Sequence, residues 1–199
     1  GGGPAAAGDA ANPRPVNVAG HVLELSPPGR DGRRPHVAAQ FRWKVFLLGG
    51  EGKAESLRCP DNLAFDPSGR LWIATDGAKR SHPAGTKPEA MAPDGLWAIA
   101  TDDAGTVAEA KFFYACPAGA ELCGPCFTPD GETLFVAVQH PGEDSSCDEP
   151  STRWPLGRPQ ETDGDGAPAP RQGGDPPRSA IVAITKLRSD GAEGDPRIS

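Results

Sequence analysis

No stretch of this chain stays apolar for anything near the ~20 residues that a bilayer-crossing helix requires. No charged segment followed by an apolar one opens it either, so neither a membrane span nor a leader is expected among these residues. Apolar residues make up only 37% of the sequence and aromatic ones 6%, so any core built from them is thin. Clustered basic residues are scarce as well: 20 Lys and Arg face 27 Asp and Glu, for a net charge of -7. A nucleic-acid surface needs the opposite balance, whereas an acidic chain is compatible with cation binding. The one basic cluster, Arg30-Asp31-Gly32-Arg33-Arg34-Pro35-His36, lies between turn formers and reads as a solvated loop. No segment has the apolar periodicity of an amphipathic helix. Gly-rich phosphate loops and Gly-x-Ser-x-Gly elbows are missing, which removes two common chemistries.

What the chain has in quantity is turn formers, with 26 Gly and 23 Pro. Its organising stretch runs from Cys59 to Gly77, where Leu63-Ala64-Phe65 and Leu71-Trp72-Ile73-Ala74-Thr75 flank Asp66-Pro67-Ser68-Gly69. Pro presets φ, Gly tolerates φ > 0 and the Asp side chain accepts from nearby backbone N–H groups, so this is a β-hairpin. The same grammar returns in Glu121–Glu143, where Phe127-Thr128-Pro129-Asp130-Gly131 separates two apolar runs. Recurrence of a hairpin suggests a repeated sheet unit, and a β-propeller blade is the unit that fits four strands into such a length, insertions lengthening the usual roughly 40–50-residue period. Further strands are expected at His21–Leu25, at Gln40–Leu48 with Phe41, Trp43 and Val45 on one face, and at Gly95–Ala100, Ala110–Ala115 and Ser179–Thr185. The expected fold class is all-β: about two to three blades of a propeller with long Pro/Gly-rich loops. An array of this kind leaves open strand edges, so poor folding in isolation is expected.

Residues 1–11 are expected to be disordered or a loop remnant, and 187–199 a disordered tail. The segment 141–178, nearly all Gly, Pro, Asp, Glu and Ser apart from Ser151-Thr152-Arg153-Trp154-Pro155-Leu156, is a long insertion that is either disordered or functional. Ala78–Asp94 is a shorter Pro-rich loop. Trp72, Trp97, Phe112, Phe113 and Phe135 fall in strands and are expected to pack between blades.

Five cysteines, Cys59, Cys116, Cys123, Cys126 and Cys147, leave one over if disulfides form. Cys123-x-x-Cys126 is half of a zinc pattern whose other half is missing. Structural or adventitious cysteines are favoured, with Cys116 to Cys123 or Cys126 the first disulfide to test.

In a propeller the innermost strand begins, and the second strand ends, on one face near the central channel. Asp61, Asn62 and Asp76 of one unit then share a face with Glu121 and Glu143 of the next, and the turns at Asp66 and Asp130 lie on the opposite face. Several oxygen donors without a Cys/His array suit a hard cation such as Ca2+, which takes about six to eight oxygens. Each residue also has a structural reading: Asp61 and Asn62 as turn or cap residues, Asp76-Gly77 as a turn pair, Glu143 as a solvated loop acid, and His140 as a hydrogen-bonded side chain.

These blocks carry a resemblance. Asn12-Pro13-Arg14 with Gly20-His21, Phe41-x-Trp43, Pro60-Asp61-Asn62-Leu63-Ala64-Phe65-Asp66, Leu71-Trp72-Ile73-x-Thr75-Asp76-Gly77, Gly119-Ala120-Glu121, Gly124-Pro125-Cys126-Phe127-Thr128-Pro129-Asp130, Gln139-His140-Pro141-Gly142-Glu143 and Pro177-Arg178-Ser179-Ala180 are similar, in order and wording, to the C-terminal portion of the PhoX family of alkaline phosphatases. The resemblance covers most of residues 12–186 outside the inserted loops. It implies a six-bladed propeller with a calcium and iron cluster on its axis, exported to the periplasm or secreted by the twin-arginine route, and hydrolysing phosphomonoesters. It maps Asp61 and Glu143 onto calcium ligands, with Asn62, Asp76 and Glu121 as further candidates, and leaves the catalytic group unassigned. The family's front portion, with the iron-binding cysteine, further acids and signal, has no counterpart here, and none of the five cysteines lies in the block that supplies the iron ligand. Arg153 interrupts the family's Ser-Thr-Trp-Pro wording. The chain alone is therefore expected to be incomplete and inactive, needing the N-terminal part of the propeller as partner. The alternatives are a non-catalytic propeller binding module and a lactonase using a single Ca2+.

Overall fold

The computed structural model describes residues 8–28, 37, 39–82, 84–87, 91–146, 148–155 and 176–186. The basic cluster, Cys147, most of the long insertion and the expected C-terminal tail lie outside the described residues, as do residues 1–7 of the expected N-terminal loop.

Among the described residues, nine strands form three antiparallel sheets. β1 (His21–Ser26) pairs with β2 (Arg42–Leu48). β3 (Pro60–Phe65), β4 (Leu71–Thr75), β5 (Gly95–Thr101) and β6 (Val107–Ala115) form a four-stranded meander in chain order. β7 (Glu121–Phe127), β8 (Thr133–Gln139) and β9 (Ala180–Thr185) form the third sheet. Two short 3-10 turns, Gly52–Ala54 and Lys79–Ser81, are the helical elements that lie wholly within the described residues. None is long and apolar enough to cross a membrane. Successive sheets joined by short connections and packed face to face make the fold part of a β-propeller.

The middle sheet is the filling of this stack, and β4 shows why. Successive strand side chains point to opposite faces. Leu71 and Ile73 therefore enter one core with Val22, Leu47, Leu57, Trp97 and Ile99. Trp72 and Ala74 enter the other with Leu96, Leu122, Val136 and Val138. All five residues of β4 are buried, which is what an uninterrupted apolar run bounded by turn signals demands. Each large aliphatic side chain buried this way contributes about 1.5–3 kcal/mol.

The end sheets differ, because only one face of each has a neighbour. Leu23 and Leu25 on β1 oppose Val45 and Trp43 on β2, and this outer face leaves Leu25 61% and Trp43 48% exposed. On the third sheet, Phe135 and Ile181 are exposed in the same way.

The aromatics follow suit. Trp72 meets Phe113 edge-on at 5.0 Å and Phe127 of the next sheet at 5.2 Å, and Trp97 lies on Phe112 at 4.8 Å. Phe113 keeps that edge-on contact with Trp72 although it is half exposed, whereas for Phe135 the expectation of packing between blades is corrected: it is exposed on the outer face of the third sheet. The disulfide expectation is corrected too. Cys59, Cys116, Cys123 and Cys126 are free thiols, and Cys116 is buried whereas Cys126 points outward. Strand alternation and a local irregularity between Cys123 and Cys126 send the two thiols of the Cys-x-x-Cys to different environments.

Both hairpin turns form as their residues dictate. Gly69, at φ 84, and Gly131, at φ 68, occupy the left-handed positions. A Cβ on Gly131 would come within 3.4 Å of Pro67, so the two turns lie side by side at one end of the stack.

Candidate functional site

At the other end, the strand starts and ends of β3, β4, β7 and β8 form a mouth lined with acids. The path into β3 is strained: Cys59, just before Pro60, has φ 51. In the register between β3 and β4, Pro60 faces Thr75 but Asn62 already faces Ala74, so Asp61 is an extra, bulged residue. Bulges re-aim side chains and are common beside functional sites. The inner strand of the next sheet is irregular in the same region: between Cys123 and Cys126 the pairing slips, Gly124 takes φ 55, and Pro125 has no N–H to give the ladder. The two irregularities are tied together, because Gly124 N–H donates to Asn62 Oδ1 at 2.7 Å while Asn62 Nδ2 donates to Asp61 Oδ2 at 2.5 Å.

Glu121 opens β7 and is buried to 8% exposure, an expensive place for a carboxylate. Burial, then the hydrogen-bonded Asp76 carboxyl and its charge, push the Glu121 pKa up, against a Cys123 hydrogen bond and the nearby His140. Asp76 and Glu121 thus crowd one another from adjacent sheets. His140, which ends the second hairpin, sits between two acids, with Nε2 3.5 Å from Glu121 Oε1 and Nδ1 3.4 Å from Glu143 Oε2. Its Nδ1 is buried and makes no hydrogen bond, and its backbone is held in the left-handed region at φ 36. Strain of this kind persists only where the surroundings enforce it. Here the Ser179 hydroxyl accepts from His140 N–H at 3.0 Å.

Cys123, two residues past Glu121 on the same strand face, donates to Glu121 Oε1 at 3.2 Å. Burial, then the hydrogen bond and charge of Glu121 and the charges of Asp61 and Asp76, push its thiol up to about 12. It is therefore a neutral donor at neutral pH. The loop after β4 is pinned from below: Asp94 accepts from Gly77 N–H at 3.0 Å and Ala78 N–H at 2.8 Å, and Thr75 Oγ1 accepts from Gly95 N–H at 3.0 Å. Beside the acids opens a cleft of about 240 Å³ whose walls include Asp76, Arg80, Asp94, His140, Glu143 and Asp144.

The model of the alkaline phosphatase PhoX family matches residues 3–142. The chain belongs to the PhoX family. Among solved structures it is similar to Pseudomonas fluorescens PhoX in complex with vanadate, a transition state analogue, at 29% identity and a TM-score of 0.63. That match covers 88% of this chain and 28% of the Pseudomonas PhoX chain, so the present chain spans well under half of its relative's length. No curated protein matches it.

Within this PhoX frame, the five candidate ligands fall at one end of the stack. Asp76 and Glu121 meet directly, Glu143 reaches Glu121 through His140, and Asp61 and Asn62 join from the bulge. The donor set is one of oxygens crowded without enough cations, with an unsatisfied imidazole nitrogen among them, and in kind it fits a hard cation. Among the described residues, no three His, Cys, Asp or Glu side chains converge closely enough to hold a metal ion.

Sequence reasoning undervalued Cys123 and left Arg80 and Asp94 out of the site. The two-residue step from Glu121 would have placed Cys123 on the same face. Nothing local marks Asp94, which sits in a Pro-rich loop and reaches back 16 and 17 residues to its partners.

Proposed function

We propose that this chain is the C-terminal part of the propeller of a PhoX-type alkaline phosphatase hydrolysing phosphomonoesters, with Asp61, Asp76, Glu121, Glu143 and Asn62 forming one wall of a calcium site. Residues 12–186 form the propeller part, and the remaining wall, including the iron ligands, comes from the portion of the family's propeller that this chain does not span. The exposed outer faces of the two end sheets support that reading, since further sheets would cover Leu25, Trp43, Phe135 and Ile181. Export to the periplasm or beyond follows from the family reading alone.

One observation carries the proposal: acids from different sheets are forced together at a mouth where, among the described residues, the basic side chain paired with them is Arg80, at 3.7 Å from Asp76 Oδ1 and so beyond hydrogen-bond length. A bound cation would supply the charge stabilisation for a phosphoryl oxygen. This chain's own contribution is to hold donors in place: the bulge aims Asp61, Asn62 links the two inner strands, Cys123 keeps its proton and donates to Glu121, and His140 joins Glu121 to Glu143.

The test is hydrolysis of p-nitrophenyl phosphate by the protein carrying the whole propeller, assayed after chelation and again on adding calcium. Activity that vanishes with chelation and returns with calcium is expected. A preparation that carries tightly bound calcium yet hydrolyses no phosphomonoester would refute the phosphatase reading and leave a binding module or a lactonase.

A further inference from the structure

The acid-lined mouth presents an electrostatic problem that the calcium wall alone does not solve. A phosphomonoester arrives as an anion, and the cleft beside the mouth contributes Asp76, Glu143 and Asp144 to its walls. Among the described residues, the Lys and Arg side chains in its walls are those of Lys79 and Arg80. Arg80 stands out by its setting. Its guanidinium lies between two acids, with Nη2 3.7 Å from Asp76 Oδ1 and Nη1 3.7 Å from Asp144 Oδ1. Both separations exceed hydrogen-bond length, so the group is held by charge with its N–H donors still available. The side chain is 61% exposed, hence reachable from the cleft.

The backbone beneath it is rigidly placed. Asp94 fixes Gly77 and Ala78 through their N–H groups, and Arg80 N–H donates to Gly77 C=O at 3.0 Å, closing the turn. A Cβ on Gly77 would come within 3.4 Å of Arg80 Nη2, so the guanidinium lies directly over the glycine that follows Asp76. Arg80 is therefore delivered to the edge of the carboxylate mouth by a pinned loop. A planar guanidinium matches two oxygens of one phosphate at once, which a water-exposed ammonium does not.

On the reading that this mouth belongs to a phosphomonoesterase, we infer that Arg80 is its substrate-recognising arm. It binds two phosphoryl oxygens of the incoming ester from the cleft side and exchanges its two loose ion pairs for a bidentate one. Lys79, on the same turn, adds only long-range attraction.

The experiment uses the calcium-loaded protein with its whole propeller, p-nitrophenyl phosphate as substrate and inorganic phosphate as competing anion. Arg80→Gln is expected to raise both KM and the phosphate inhibition constant by about 10–100-fold, the factor that goes with losing hydrogen bonds to a charged group. Arg80→Lys is expected to recover part of that loss, and Lys79→Gln to change either constant by less than about threefold. Calcium content and melting temperature should stay at the parent's values in all three variants. Unchanged KM and unchanged phosphate inhibition in Arg80→Gln, with an active parent, would overturn the inference while leaving the phosphatase reading intact. Loss of calcium or of thermal stability in both Arg80→Gln and Arg80→Lys would overturn it as well, since Arg80 would then be a strut between Asp76 and Asp144. A parent that hydrolyses no ester defeats the phosphatase reading itself.

Discussion

The two ends of the same hairpins treat carboxylates in opposite ways. At the turn end, Asp66 is satisfied within its own loop: Ser68 N–H at 2.9 Å, Ser68 Oγ at 2.5 Å, Arg70 N–H at 3.0 Å and Trp72 Nε1 at 3.0 Å all donate to it. Partial burial alone would raise its pKa, but the bonds from Ser68, Trp72 and the backbone outweigh that and lower it to about 2. Asp130 repeats the pattern, taking a hydrogen bond at 2.6 Å from Thr128 Oγ1 and one at 3.0 Å from Glu132 N–H. At the mouth end, Glu121 is pushed the other way, by burial and then by Asp76. Local bonds that favour the charged form mark a structural acid; crowding that disfavours it marks a place where something else must supply positive charge.

Substitutions at the mouth should break the contrast most strongly. In the protein with its whole propeller, Glu143→Gln keeps the shape and removes one negative donor. A calcium titration of p-nitrophenyl phosphate hydrolysis should show the midpoint moving to at least ~10-fold higher calcium, since even partners behind a ligand are typically worth that much. An unchanged midpoint removes Glu143 from the site.

Cys123→Val comes next. It deletes the donor to Glu121 while keeping the volume and leaves a buried carboxylate oxygen short of a partner. A loss of about 1–3 kcal/mol is expected by denaturant titration without calcium, and less with it.

Asp66→Asn sharpens the comparison from the other side. It should lower stability by about 1–2 kcal/mol and leave calcium dependence untouched. The sign of its pH dependence is fixed. The carboxylate pKa falls from 3.8 unfolded to about 2 folded, so its stabilisation is complete above about pH 4 and is lost as pH drops through about 2. Melting curves across that window should converge for parent and variant at the acid end.

The smallest effect is expected for Glu132→Gln, which removes only the exposed ion pair to Lys186 at 3.4 Å. Its melting temperature and calcium midpoint should both match the parent, the pair being worth about 0–1 kcal/mol. A change in the calcium midpoint would erase the distinction between the two ends.

Much of this contrast is visible in the residues before any coordinates. Asp66-Pro67-Ser68-Gly69 and Thr128-Pro129-Asp130-Gly131 announce their turns, and a hairpin with a turn at one end must bring Asp61 and Asp76 out at the other. Asp61 as a bulge, the slip at Gly124-Pro125 and the left-handed backbone of His140 are not visible, because each depends on what the neighbouring strand does. The disulfide expectation failed for that reason: spacing places Cys116 and Cys126 near one another along the chain, but strand alternation and the slip send their thiols to a buried and an exposed setting.

The sequence by itself determined the all-β class, the hairpin turns and the apolar strand of the middle sheet, because turn chemistry and two-residue alternation act between neighbours in the chain. It also determined the family, through blocks of wording spread along most of its length. Tertiary structure alone decided which acids meet. Asp76 and Glu121 lie 45 positions apart in the sequence and belong to different sheets, and only sheet-on-sheet packing around Trp72, Leu122 and Val136 presses their carboxyls together. Packing of that kind is driven by apolar area without regard to the charges it carries along, so the charge problem at the mouth is created by the fold and appears in no local pattern.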